Sequence, residues 1–179
     1  MKTQVMLDLE TLGQTPGSVI VAIGAVKFGG GEILGDFYLR VDAQSCVDAG
    51  LWLDVSTVLW WFKQGDAARL ELTRPGTPLH SALERFTEWV GEGDAEVWGN
   101  GASFDNALLT AAYDAARMRR PWTNFNDRCY RTVKAMFPDI PLARAGTHHN
   151  ALDDARSQAV HLMELLGQGK PFDAATRAE

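Results

Sequence analysis

Asp8 and Glu10 stand two residues apart in a stretch where Val5, Leu7 and Leu9 alternate with Met6, Asp8 and Glu10. A period of two is the mark of a strand, so both carboxylates leave one face and the apolar set leaves the other. On a sheet face covered by helices, two carboxylates are costly unless something pairs with them. Asp105 adds a third acid, on the same helical stripe as Leu108, Leu109, Ala112 and Ala116. A first-turn acid gains from the helix dipole, but the dipole does not explain why it faces inward. A further negative charge aimed at the sheet asks for a cation. The run Thr147-His148-His149-Asn150-Ala151-Leu152-Asp153-Asp154-Ala155 offers two histidine–aspartate pairs, His148/Asp153 and His149/Asp154, at the same interval. Spacing alone does not choose between them. Asn150 can cap a helix and put Asp153 and Asp154 in its first turn. At about 100° per residue, Asp154 then flanks the apolar stripe and Asp153 points away, which makes Asp154 the better inward ligand.

The elements that must position these groups read as follows. Val19 to Phe28 is apolar on both faces, as a central strand is, and Gly29-Gly30-Gly31 turns the chain. Ile33, Phe37, Leu39 and Val41 then alternate with polar neighbours, completing an antiparallel three-strand meander. Helices are expected over 54–64 and 66–72, and a third capped by Thr77-Pro78 with Leu79, Leu83, Phe86 and Val90 on its apolar face. A short strand over 95–98 precedes a helix capped by Ser103 and running to about Met118. An extended piece near 128–130 leads into a helix that stops before Pro138, and a last helix runs from about Asn150 to Leu166. The order implies an α/β fold, a mixed sheet flanked by helices. The chain of 179 residues is read as one domain, with a helical insertion at about 42–76.

Composition narrows the class. With 46% hydrophobic and 22% charged residues and a net charge of −6, the chain is neither disordered, collagen-like nor a coiled coil. No apolar run reaches the roughly 18 residues of a membrane span, and Asp8 and Glu10 sit where a secretory signal would be apolar. Cys46 and Cys129 lack metal-type spacing and read as buried reduced thiols, so a cytoplasmic protein with no membrane partner is expected. Charge is uneven. Between Arg117 and Arg144 seven basic residues face two acids, a balance compatible with phosphate contact.

Asp8-Leu9-Glu10-Thr11, Phe104-Asp105 and His149-x-Ala151-x-x-Asp154-Ala155 together resemble the DEDDh, or DnaQ-like, branch of the DEDD 3'-5' exonuclease superfamily. Trp60-Trp61, Trp98-Gly99-Asn100-Gly101 and Arg128-Cys129-Tyr130-Arg131-Thr132 further resemble its small phage and bacterial members, exodeoxyribonucleases or exoribonucleases. The resemblance implies an RNase H-like fold and favours His149/Asp154 over His148/Asp153. It also implies hydrolysis of phosphodiester bonds at 3' ends of single-stranded DNA or RNA, in a bacterial or phage-infected cell, with nucleoside 5'-monophosphates as product. Such hydrolysis needs an activated water, an oriented phosphate and charge relief on the leaving oxygen, which two divalent cations, Mg²⁺ or Mn²⁺, supply. On this reading Asp8 bridges both ions, Glu10 and Asp154 complete one shell, and Asp105 assists the other through water. His149, with an ordinary pKa of about 6.5, takes the proton from the attacking water.

The resemblance places Thr11 and Leu12 at the terminal nucleotide. Trp98 and Phe104 are candidate stacking surfaces, Asn100 a further substrate contact, and Arg128 and Arg131 candidate phosphate ligands. Trp60-Trp61-Phe62 cannot all face one core, so at least one ring is expected in the substrate groove or at a contact between two copies of a homodimer. Two competing readings are a non-catalytic nucleic-acid or protein-binding module on the same fold, and an oligonucleotidase restricted to very short substrates.

Overall fold

The structure is a computed structural model that describes residues 2–91, 94–146 and 149–167. Strands β1 (Gln4–Thr11), β2 (Ile20–Gly29) and β3 (Glu32–Arg40) pair antiparallel in chain order. Gly30 and Gly31 hold φ of 61° and 83°, the left-handed region a tight reversal needs and glycine enters at little cost. Strands β4 (Glu96–Gly99) and β5 (Asp127–Cys129) add in parallel on the other side of β1, giving the order β3-β2-β1-β4-β5. The acid-bearing strand is therefore the centre of a mixed sheet, with the apolar β2 beside it.

The described residues hold seven α-helices: α1 (Ala43–Asp48), α2 (Val55–Trp61), α3 (Asp66–Thr73), α4 (Leu79–Val90), α5 (Asp105–Ala115), α6 (Tyr130–Met136) and α7 (Ala151–Leu165). Val5, Leu7 and Leu9 pack with Leu83 and Phe86 of α4 and Leu108, Leu109 and Ala112 of α5. Met6, on the other face, packs with Val26, Phe28, Tyr130 and the α7 residues Ala155, Ala159 and Leu162. Each fully buried Val, Leu, Phe or Met among them contributes about 1.5–3 kcal/mol. Asp8 and Glu10 follow Met6 on the α7 face, so the second core ends where the carboxylates begin.

Gly24 pairs with Asp8 across the sheet, and a Cβ there would lie 2.1 Å from the carbonyl carbon of Ala151. The first turn of α7 thus rests directly on the strand beside Asp8, which brings Asp154 to it.

Some helix ends differ from the sequence expectation. Ser103 is exposed and does not cap α5; Phe104 holds the cap position without a side-chain bond, and the helix ends at Ala115. The chain turns tightly just before it, Phe104 N–H donating to Gly101 O at 2.7 Å, and this takes the serine out of reach. Thr77 does not cap α4 either. Its backbone bridges to Arg40 and Asp42, and the Ser45 hydroxyl of α1 accepts from Leu79 N–H at 2.9 Å. Helix α1 itself has no counterpart in the sequence reading. Cys46 and Cys129 are free thiols, Cys46 buried and Cys129 only partly so.

Candidate active site

Three elements deliver the acids to one end of β1. Asp8 and Glu10 lie in the last half of the strand, at the carboxyl ends of the parallel pair β1 and β4, where ligands of open α/β sheets gather. Asp105 is the first residue of α5 and only 2% exposed; its Oδ1 accepts from Leu9 N–H at 3.3 Å. Gly99 allows this approach, since a Cβ on it would sit 2.4 Å from Asn106 Oδ1 and 3.0 Å from Asp105 Cβ. Asp154 sits in the first turn of α7, whose cap Asn150 accepts from Leu152 N–H and Asp153 N–H. Its Oδ2 accepts from His149 N–H at 3.0 Å, and its Oδ1 takes the Arg144 guanidinium. Glu10, His149 and Asp154 each offer one ligand atom, all within 4.8 Å of one another.

The electrostatics of the cluster are unfavourable to four free carboxylates. Burial pushes Asp8 well above the usual carboxylate range, and repulsion from Asp105, Glu10 and Asp154 adds to it. The Gln158 amide, donating to Asp8 Oδ1 at 2.8 Å, pulls the other way. Burial lifts Asp105 to about 7, against the pull of nearby backbone amides and of Arg131. Asp105 Oδ2 is buried with no hydrogen-bond partner among the described residues. Hard oxygen donors, mutual repulsion and an orphaned carboxylate oxygen together fit divalent cations of the Mg²⁺ or Mn²⁺ kind.

Asp8, Glu10 and Asp154 open onto a cleft of about 560 Å³. Thr11, Asn100, Phe104 and Arg131, all expected near substrate, line it. Three others are not brought there. Leu12 packs against the main core, its N–H tied to Val19 O. Trp98 is buried with Met6 and Phe28, donates Nε1–H to Gln4 Oε1 at 2.7 Å, and borders a separate hollow at the opposite end of β1. Arg128 binds Glu96 at 2.6 Å on that same far side, because its neighbour in the parallel register is Trp98. His148 lies outside the described residues, whereas His149 and Asp154 are in the cleft. Asp153 is not part of the ligand group; its side chain lies against Gly146.

The cleft also holds Gln158, Arg144, Trp60 and Trp61. Gln158 follows Asp154 by one helical turn, a spacing that could have pointed to it. Arg144 belongs to the basic stretch but carries no local mark that separates it from the others. Trp60-Trp61 is conspicuous as a pair, though its partner His149 is far off in sequence.

A family model described as "3'-5' exoribonuclease Rv2179c-like domain" matches residues 3–166. The chain belongs to the Rv2179c-like 3'-5' exoribonuclease domain family. A Mycobacterium tuberculosis (strain CDC 1551 / Oshkosh) protein named as a bifunctional exonuclease/endonuclease is 28% identical over 187 aligned positions, which cover 92% of this chain and 26% of that one. The chain thus spans about a quarter of that relative. Among solved structures, the nuclease domain of 3'hExo, a DEDDh family member bound to rAMP, aligns with a TM-score of 0.61 at 15% identity, covering 94% of this chain and 93% of that one. Product-bound exonuclease I aligns with a TM-score of 0.66 at 13% identity over 96% of this chain and 44% of its own. At these identities the likeness carries the fold, the mixed RNase H-like sheet of DEDDh nucleases. No helix among the described residues is long and apolar enough to cross a membrane.

Proposed function

We propose that this chain is a metal-dependent 3'-5' exonuclease that trims single-stranded nucleic acid, RNA in preference to DNA, and releases nucleoside 5'-monophosphates. The observation that carries the reading is the convergence of Asp8, Glu10, His149 and Asp154 on one cleft, with Asp105 bound to the backbone of Leu9 between the two β1 acids and one of its buried carboxylate oxygens without a partner among the described residues. Membership of a family described as exoribonuclease supports RNA as the polymer.

Asp8, Glu10, Asp105 and Asp154 would hold two divalent cations. Such ions supply charge neutralisation at the scissile phosphate and a more acidic water. His149, beside Glu10 and Asp154, takes the proton from the attacking water. Arg131 and Arg144 meet phosphate oxygens of the bound strand, and Arg131 is held in the cleft by donating to Asn100 O. Phe104, half-buried at the rim, offers the terminal base an aromatic surface, and Thr11 and Asn100 border the place of the terminal sugar.

Product analysis tests the reading. RNA and DNA of one sequence, in lengths from two to thirty nucleotides, are incubated with the protein and Mn²⁺ and the products separated by chromatography. Release of nucleoside 5'-monophosphates, faster from RNA and at all lengths, is expected. Hydrolysis confined to di- and trinucleotides would convert the reading to an oligonucleotidase, and binding without any monophosphate would convert it to a binding module.

A further inference from the structure

The adjacent tryptophans of the helical insertion lie close to the histidine on which the proposed chemistry depends. His149 has a backbone φ of 63°, a left-handed conformation that a residue with a Cβ seldom holds without support from its surroundings. Its amide is tied to Asp154 Oδ2. Its imidazole stands edge-on to Trp60, with ring centroids 5.0 Å apart at 87°, and to Trp61 at 6.0 Å and 73°. The two indoles are themselves perpendicular neighbours at 5.1 Å and 75°. Successive residues on a helix diverge by about 100°, so two adjacent tryptophans can meet one ring from two directions.

Trp61 is the fixed member. It is buried, and its Nε1–H donates to Thr11 O at 2.9 Å. Thr11 follows Glu10 directly on β1. The same strand end is tied to the insertion a second time, through Asp54 N–H to Leu12 O at 2.7 Å. The wall against His149 is thereby referenced to the strand that carries Asp8 and Glu10. Trp60 is 42% exposed and turns its remaining surface to the cleft. Perpendicular ring contacts from two sides restrict the rotation of an imidazole, which suits a group that must present one nitrogen to an attacking water.

We propose that Trp60 and Trp61 are positioning residues for His149, and that the helical insertion sets the orientation of the proton acceptor. The inference rests on the reading of His149 as the base.

Single-turnover cleavage of a 5'-labelled RNA oligomer tests it in Trp60→Ala, Trp60→Phe, Trp61→Phe, His149→Ala and the Trp60→Ala/His149→Ala double variant. Thermal melting and Mn²⁺ titration report on the fold and the acid cluster. Trp60→Ala is expected to lower the maximal rate about 10–100-fold, with half-saturating RNA changed less than about threefold. Trp60→Phe restores most of the rate. In the His149→Ala background, Trp60→Ala costs no more than about twofold further, because residues that act through one another are non-additive. Equal losses in both backgrounds, or a raised RNA requirement at unchanged maximal rate, would overturn the inference and make Trp60 a surface for bases alone. If Trp60→Ala melts early, Trp60→Leu, which fills space without a ring edge, takes its place with the same expected loss. A His149→Ala protein as fast as wild type would instead remove the base assignment itself. Loss in His149→Ala with a wild-type rate in Trp60→Ala would remove the present inference and leave that assignment standing.

Discussion

His149 touches Asp154 through its amide and approaches Glu10 and Asp154 with its ring, so a ligand role and a base role make different predictions. As the base, His149→Ala lowers kcat by about 10²–10⁴-fold and leaves Mn²⁺ affinity within about threefold of wild type. A parallel loss of cation affinity, read by titration, would make the imidazole a ligand. The acids predict a pH effect of definite sign. Asp105 is raised by burial from an ordinary 3.8 to about 7, so between these values the folded state keeps a proton that the unfolded state has released. Its contribution to stability is therefore present in full below the ordinary carboxylate pKa and is lost as pH rises toward 7. Asp8, shifted the same way, adds to the trend. In chelator, the melting temperature should fall between pH 5 and 7.5, and millimolar Mg²⁺ or Mn²⁺ should restore it by binding the native state. A metal-free melting temperature that rises over that interval, or one that ignores the ions, contradicts a cation site. The acids could be read from strand and helix spacings, whereas His149 was separated from His148 only by the family resemblance. Gln158, bonded to Asp8 across 150 positions, is marked in the sequence only by its place one turn after Asp154, and Arg144 by nothing local that names its partner.

At the scale of elements, the site exists because α7 and α5 start where the sheet lets them come close. Gly24→Ala puts a methyl 2.1 Å from the Ala151 carbonyl carbon, and that backbone cannot yield without shifting Asp154. A loss of about 1–3 kcal/mol in unfolding free energy is expected, with weakened Mn²⁺ binding beside it. A variant with wild-type stability and cation affinity would mean that α7 is not held by this contact. Both α7 and the meander were readable from periodicity and from Asn150 and the Gly29-Gly30-Gly31 turn. Helix α1 was not, being six residues long and settled by Cys46 in the main core and by Ser45 at the start of α4. Trp98 and Arg128 look on paper like a stacking ring and a phosphate ligand. They face away because the register of β4 and β5 sets them beside Gln4 and Glu96, a pairing made by tertiary contacts alone.

For the whole molecule, the basic stretch divides rather than forming one patch. Arg120 pairs with Asp127 and Arg128 with Glu96 away from the cleft, while Arg131 and Arg144 line it, Arg144 held there by Asp154. Two arginines on phosphate predict a shallow salt dependence, with log affinity for single-stranded RNA falling against log salt with a slope of about −1 to −2. A slope of about −4 or steeper would mean that the wider basic stretch also reads the strand. The net charge of −6 leaves the rest of the surface unattractive to polyanions, so the cleft is the expected point of entry. The central claim, that the acid cluster carries metal-dependent cleavage from the 3' end, is tested most directly by one experiment. A 5'-labelled RNA is incubated with wild type and with Asp8→Asn, each in Mg²⁺, in Mn²⁺ and in chelator. The account predicts a ladder that shortens stepwise from the 3' end with wild type and metal, and intact RNA in chelator and in the variant. A ladder that persists in chelator or in Asp8→Asn, or intact RNA throughout although wild type binds it, would contradict the account.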